Sequence, residues 1–348
     1  MRALVTGITG QTGSYMAEKL LDEGMEVYGF HRRNSQHVMN NLGACIKNKN
    51  FTLIEGDLTD FASVSGVIEN LKPDMIFNYA AQSHVHSSFS QPIFTFNVNT
   101  IGVLNLLESI KKFSPHTRML QASSSEQFGN NYIIKDGKKI QDESVQFKPR
   151  SPYSVSKAAA HELCYTYRES YGLYIVCSIC FNHESPRRGE KFVTRKITKW
   201  IGDNHKELKN GTCDKKLALG NLESRRDWGH AKDYCDAMRL MMDMDAPDDF
   251  VICTNKTYSI KEFLEKAFNA AGIPNWSQYV YVDPDLYRPA EVDYLCGDNS
   301  KITSTLGWEP KYNIDMLVDT MVKSDIVPNA EIYDAAVEWE HTMRLMAN

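Results

Sequence analysis

The chain lacks the features that mark a membrane or nucleic-acid protein. No uninterrupted apolar run approaches the ~18 residues of a membrane span. Lys and Arg are scattered and the formal net charge is -5, so no basic surface for nucleic acid is expected. No internal repeat or low-complexity segment stands out. The strand-and-glycine pattern starts at Met1-Arg2-Ala3-Leu4-Val5-Thr6-Gly7, which leaves no room for a signal peptide. Clustered metal ligands are missing as well. His84 and His86 are two apart and His183 is isolated, so no three- or four-ligand set is legible and no metal is expected. The eight cysteines are dispersed. Cys177 and Cys180 have the spacing of a redox pair, but residues three apart in a strand point to opposite faces. Buried thiols in a reduced, cytoplasmic protein are therefore expected.

What is present is an ordinary globular composition, 42% hydrophobic and 24% charged over 348 residues, with room for about two domains of roughly 150 residues. Ala3-Leu4-Val5 reads as a buried strand and runs into Gly7-Ile8-Thr9-Gly10-Gln11-Thr12-Gly13. A helix to Gly24 and a second strand, Glu26 to Phe30, follow. In that context the glycines let backbone N–H groups approach a pyrophosphate, and the helix N-terminus favours its charge. The second strand ends in His31-Arg32-Arg33-Asn34-Ser35, with no acid to hold ribose hydroxyls. Arginine there suits the 2′-phosphate of NADP.

Strands at Thr52–Ile54, 75–81 and 176–181 alternate with helices at 61–70 and 98–111. The last of these carries apolar residues at 98, 101, 104, 107 and 110. This order predicts an α/β protein with a doubly wound parallel sheet, whose ligands bind beyond the strand carboxyl ends. Asp57, after a strand, would border an adenine. Asp136-Gly137 marks a hairpin turn within a surface excursion over 130–142.

Ser123-Ser124-Ser125-Glu126 closes an apolar run, and Tyr153 and Lys157 lie four apart on one helix face. An ammonium beside a phenol favours phenolate, so this stretch offers hydroxyls, a carboxylate and a tunable phenol for redox and acid/base chemistry. After Phe181 the rhythm breaks. Four separated segments rich in Arg, Lys or Asn suit a nucleotide diphosphate held at a domain cleft. They start at Asn182, Ala218, Arg225 and Tyr287.

With these motifs assembled, the chain resembles the extended short-chain dehydrogenase/reductases, over nearly its whole length. Three stretches resemble the GDP-mannose 4,6-dehydratase family within them: Asn182-His183-Glu184-Ser185-Pro186-Arg187-Arg188-Gly189-Glu190, with Phe192 to Ile197 behind it; Leu219-Gly220-Asn221 through Tyr234; and Arg288-Pro289-Ala290-Glu291-Val292-Asp293. The resemblance implies a Rossmann sheet carrying a smaller, mixed α/β substrate domain. Residues 1–182 would hold NADP, with returning segments at about 228–255 and 306–330. Residues 183–227 and 256–305 would hold the GDP-sugar.

It also implies roles. Tyr153 would deprotonate the C4 hydroxyl, with Lys157 lowering its pKa and Ser124, where the family usually has threonine, bonding the C4 oxygen. Glu126 would take the C5 proton and protonate the leaving C6 hydroxyl. Cofactor positions would be Gly7, Thr9, Gly10, Gln11, Thr12, Gly13, Arg32, Arg33, Asn34, Ser35, Asp57, Leu58, Tyr79, Ala80, Ala81, Gln82, Ser83, Phe94, Lys157, His183 and Arg188. Substrate positions would be Ser83, Ser124, Ser125, Glu126, Tyr153, Asn182, Val193, Lys196, Leu219, Gly220, Asn221, Arg226, Arg288 and Glu291. The chain departs from the family at Thr12, usually aspartate, at Phe94, usually tyrosine, and after Arg33, where the loop is serine-poor. That loop reaches a neighbouring subunit in the family, so a homodimer or a homotetramer is implied. Another GDP-sugar, such as a heptose or amino sugar, is the alternative substrate; 4-epimerisation is the alternative reaction.

Overall fold

The structure, a computed structural model, describes residues 1–33, 39–287 and 290–327. Strands β1 (Arg2–Thr6), β2 (Glu26–His31), β3 (Phe51–Glu55), β4 (Met75–Asn78), β5 (Arg118–Ser124), β6 (Ile175–Cys180) and β7 (Phe250–Ile252) form one sheet in the order β7-β6-β5-β4-β1-β2-β3. Every neighbouring pair is parallel, as helix crossovers require. The order reverses between β1 and β4, which opens a crevice at their carboxyl ends. Sequence periodicity gives no sign of β7, because three residues are too few for a period.

Helices cover both faces of the sheet, and the strand pleat sorts the core between them. Ala3, Val5, Val27 and Val176 pack with α1 (Gln11–Asp22) on one face. Leu4, Ile76, Met119 and Cys177 pack with α2 (Phe61–Leu71) and α3 (Gly102–Phe113) on the other. Cys177 and Cys180 fall in these two different cores, both buried as unpaired thiols. α4 (Pro152–Tyr171) also packs on the second face. Its start is sharply defined: the Ser151 hydroxyl accepts from Ser154 N–H in a capping box, and Pro152 sits at a position that needs no N–H donor. Gly172 ends it with a φ of +63°.

The expected helix is present, and of its apolar residues at 98, 101, 104, 107 and 110 only Leu107 and Ile110 are fully buried. Residues 97–101 form a π-helical turn, which shifts the register by a residue. Ile101 is thereby exposed, and Val103, Leu106, Leu107 and Ile110 make the buried face. The turn aims Asn99 and Thr100 at α4, where they bond the Ser156 hydroxyl at 3.0 Å and its carbonyl at 2.9 Å. The run Pro92–Phe113 is long and apolar enough to cross a membrane by length and composition, but half of its apolar window is buried within the fold. Counting uninterrupted apolar residues misses it because Asn and Thr break the run.

A third core is built by α5 (Val193–Asn210), α7 (Ile260–Ala270) and α8 (Ile314–Ile326), with Trp228 between them. α6 (Ala231–Met241) packs instead with α1 under the sheet. Leu306 and Trp308 also sit under the sheet. α8 does not return there, although the segment after Leu306 was expected to: Leu317, Val318 and Met321 pack with Ile197 and Phe263.

His230 caps α6, its Nδ1 accepting from Lys232 N at 3.1 Å. Burial and the nearby Lys232 push its pKa down to about 4. The unfolded chain therefore gains a proton near pH ~6.5 that the folded chain refuses. Stability is full above that pH and is lost as pH falls towards 4. His230→Asn keeps a cap and should remove about 2 kcal/mol of the loss between pH 7 and 4.5, read as a flatter profile of melting temperature against pH.

Candidate active site

The chain leaves β1 at Gly7, whose φ is +63°. A Cβ there would stand 2.7 Å from the Ala80 nitrogen, and one at Gly13 would stand 2.5 Å from the Gly7 oxygen. Only glycine allows these backbone approaches. They bring the N-terminus of α1 to the crevice beside the end of β4, a place suited to an anion. Around it the Tyr79 hydroxyl, Gln82 Oε1 and Asn182 Oδ1 are buried with no hydrogen-bond partner. Buried polar atoms left open in this way fit a polar ligand such as a dinucleotide. Gln82 is fixed by Asn99, which accepts from its N–H at 2.8 Å and donates to its carbonyl at 3.1 Å. Ser83 beside it is exposed.

The side chains of Gln11 and Thr12 have another use. Gln11 donates to the His183 carbonyl at 2.7 Å and accepts from Ser185 at 2.8 Å. The Thr12 hydroxyl meets His183 Nε2 at 2.9 Å, while His183 Nδ1 lies 3.1 Å from the Phe181 carbonyl. Both ring nitrogens are thus engaged inside the protein, and burial holds the ring neutral with its pKa down at about 4. These residues clamp α1 to the 182–185 segment. Asp57 is likewise held by Thr59, which donates N–H and hydroxyl to Oδ1 at 2.9 and 2.8 Å. The Leu58 carbonyl accepts from Asn105 at 2.7 Å. Arg32 and Arg33 are exposed at the end of β2, with Arg32 6.0 Å above the Phe94 ring. Asn34, Ser35 and Arg288 lie outside the described residues.

β5 delivers Ser124 and Glu126 to the same crevice. Ser124 caps a single 3₁₀ turn, Ser125–Phe128, through a capping box with Gln127. From α4, Tyr153 reaches this turn, where its phenol lies close enough to Ser124 and Glu126 for both to act on its pKa. All four of Ser124, Glu126, Tyr153 and Lys157 are buried. Burial pushes the phenol up to about 12, with Ser124 and Arg188 acting against it. Lys157 is not among the largest influences on the phenol, contrary to the expectation from spacing. Its ammonium donates instead to the Ala122 carbonyl at 2.8 Å, and burial brings its pKa down to about 8.

That carbonyl ends a buried polar ladder that sequence reading passed over. Thr6 donates to Asn78 Oδ1 at 2.5 Å, Asn78 Nδ2 to Gln121 Oε1 at 2.7 Å, and Gln121 Nε2 to the Ala122 oxygen at 3.0 Å. The available signal was a glutamine inside an apolar central strand, which must be partnered.

Beyond Phe181, the strand Asn182–Glu184 pairs with Trp228–His230 and joins the second half to the crevice. Arg188 pairs with Glu184 at 3.1 Å and covers the Phe192 ring at 3.6 Å. Lys196 donates to the Ala218 carbonyl at 2.7 Å, next to the buried Leu219. Burial lowers its pKa. Val193 opens the same helix, and Gly220 comes within reach of Leu286. Asn221 turns on itself, accepting from Glu223 N–H at 3.0 Å. Arg226 donates to Glu291 at 3.2 Å. The later segments therefore converge, as a two-ended ligand would require.

One trio, His161, Cys177 and Asp249, brings its potential ligand atoms within 4.8 Å. Asp249 there already accepts both Arg168 nitrogens at 2.9 Å and the Cys177 N–H at 2.7 Å. Burial keeps the Cys177 thiol well above its usual pKa. The group is an ion-paired tie between α4, β6 and β7.

The sequence profile of the family described as GDP-mannose 4,6 dehydratase matches residues 4–321. The chain is 45% identical over 334 residues to GDP-mannose 4,6 dehydratase 1 of Arabidopsis thaliana, covering 93% of this chain and 89% of that protein. It is 42% identical to a GDP-mannose 4,6-dehydratase of Vibrio cholerae serotype O1, covering 93% of each. The crystal structure of Thermus thermophilus UDP-glucose 4-epimerase in complex with NAD superposes with a TM-score of 0.80 at 25% identity, covering 94% of this chain and 100% of that one.

Gly13→Ala drives a Cβ into the Gly7 carbonyl. It should weaken binding of a nicotinamide dinucleotide by about tenfold to a hundredfold, measured by fluorescence titration of the purified protein.

Proposed function

The chain belongs to the GDP-mannose 4,6-dehydratase family, and from that premise we propose that it converts GDP-mannose to GDP-4-keto-6-deoxy-mannose with loss of one water. The observation that carries the reading is Glu126 beside the Ser124–Tyr153 pair. A phenol and a hydroxyl manage the proton and the oxygen at C4; a carboxylate at the same point adds elimination.

Tyr153 takes the proton of the C4 hydroxyl while Ser124 holds its oxygen. A nicotinamide cofactor, when bound, would supply the hydride acceptor at C4 and the donor at C6. The Arg188 charge favours the phenolate that burial opposes. Glu126 then removes the C5 proton, made acidic by the new ketone, and passes it to the C6 hydroxyl, which leaves as water. Tyr153 then delivers the proton it took to C5, so C4 stays a ketone and both side chains end as they began. Burial of the four side chains excludes bulk water and strengthens each of these interactions.

NADP rather than NAD is supported by the paired arginines at the end of β2, with Arg32 near Phe94. We assign the cofactor to residues 1–182 with 228–255 and the GDP-sugar to 183–227 with 256–305, with α8 added to the second set because it shares that core. A homodimer is supported by exposed Ile93, Phe96 and Ile101 on the helix before and within the π turn, with Val155 on α4. These faces would pack against their own copy. A cytoplasmic location accords with thiols that carry no disulfide. The hairpin after the catalytic turn keeps a GDP-heptose or GDP-amino sugar in view, and rates across a panel of GDP-sugars separate these substrates.

Incubation with GDP-mannose should yield a product one water lighter, with no net change in NADP(H); unchanged substrate mass would refute the assignment. Glu126→Gln should still oxidise C4 yet accumulate a 4-keto hexose or reduced cofactor, seen by mass and absorbance. Arg32→Ala should weaken NADP by about tenfold while leaving NAD within about twofold, compared by titration with both.

A further inference from the structure

The excursion after the catalytic turn is a hairpin, Ile133–Lys135 against Lys138–Ile140, turned at Asp136 and Gly137 with φ of +51° and +74°. It does not stand alone in solvent. Asn130 accepts from the Asp293 N–H at 3.2 Å, the Tyr294 hydroxyl donates to the Lys139 carbonyl at 3.2 Å, and Lys135 pairs with Asp298 at 2.6 Å. Gln141, fully buried, makes four hydrogen bonds. Its N–H donates to the Cys296 carbonyl at 2.9 Å, and its own carbonyl accepts from Asp298 N–H at 3.0 Å. Its side chain accepts from the Cys296 N–H at 3.3 Å and donates to the Asn131 carbonyl at 2.9 Å.

The opposite edge of the same segment is held by the strand that carries Arg226. Arg225 N–H donates to the Asp293 carbonyl at 2.8 Å, and its carbonyl accepts from Leu295 N–H at 3.1 Å. Asp227 accepts from Gly297 N–H at 3.3 Å. The hairpin base follows Gly129, whose N–H donates to the Glu126 carbonyl at 3.2 Å. An unbroken layer of hydrogen bonds thus runs from the catalytic turn, through the hairpin and residues 293–298, to the Arg226–Glu291 pair.

Resting on the function proposed above, we infer that this strap, centred on Gln141, is a positioning element. It sets the separation between the turn that acts on the hexose and the pair that holds the nucleotide. A substrate gripped at both ends reaches the catalytic groups only if that separation is right, and a misplacement of about 1 Å costs on the order of a hundredfold in rate. The strap touches no reacting atom. It acts through Glu126 at one end and Arg226–Glu291 at the other.

Two variants test it. Asn130→Ala with Tyr294→Phe removes two outer contacts without opening the core; Gln141→Ala removes the buried centre. Kinetics with GDP-mannose, inhibition by GDP alone, and NADP titration are measured on each folded protein. The expected result is a fall in kcat of about tenfold for the double variant and about a hundredfold for Gln141→Ala. GDP and NADP affinities should stay within about twofold. A scaffold role would instead lower GDP affinity, NADP affinity and kcat together, and that outcome, or an unchanged kcat, overturns the inference. If Gln141→Ala fails to fold, the double variant alone decides. If wild-type protein binds GDP-mannose without converting it, the functional reading falls, and the strap stands only if both variants lower the ratio of GDP-mannose to GDP affinity by about tenfold. If wild-type protein does not bind GDP-mannose, both readings fall.

Discussion

A lysine ammonium donating to one carbonyl oxygen, out of contact with bulk water, is the constraint around which this fold is arranged. Lys157 is buried and its proton is weakly held, so its partner must be placed with care. The Ala122 oxygen is that partner. It is held by Gln121, which is held in turn by Asn78 and Thr6 across three strands. Thr6 immediately precedes the glycine turn, so one run of buried hydrogen bonds links that turn to Lys157. Buried polar ladders of this kind rigidify because each broken link strands a desolvated group.

The second half of the chain meets this site through a narrow junction. The short strand after Phe181 pairs with Trp228–His230, and Gln11 and Thr12 grip it from α1. Glycines and small polar side chains make that grip close. Arg188 then reaches both ways, paired with Glu184 and acting on the Tyr153 phenol. The two halves of the chain thus meet through hydrogen bonds and ion pairs at this junction.

Much of this was legible because it rests on local rules. The strand, glycine turn and helix at the N-terminus follow from the backbone freedom of glycine and from period. The opposite facing of Cys177 and Cys180 follows from the pleat, and the hairpin at Asp136-Gly137 from its positive φ values. Other features were not legible. The exposure of Ile101 could not be read from helical period, because a π-helical turn inserts a residue into the count. β7 is too short to show a period, and α8 is amphipathic towards whichever core it meets. Gln11, Thr12 and His183 sit in a cofactor motif, yet Gln11 bonds the His183 carbonyl and Thr12 the His183 ring across more than a hundred residues.

The sequence by itself determined the fold class, the glycine cradle and the pairing of Tyr153 with Lys157 on one helix face, since each depends on residues a few positions apart. Only the tertiary structure decided what those groups do to one another. The pKa values of Tyr153 and Lys157 are governed by burial, which no spacing reveals. The partner of Lys157 is a backbone carbonyl from another strand, and the partner of Arg226 comes from a segment far along the chain. Desolvation and long-range hydrogen bonding arise from packing, and packing is settled only when the distant segments meet.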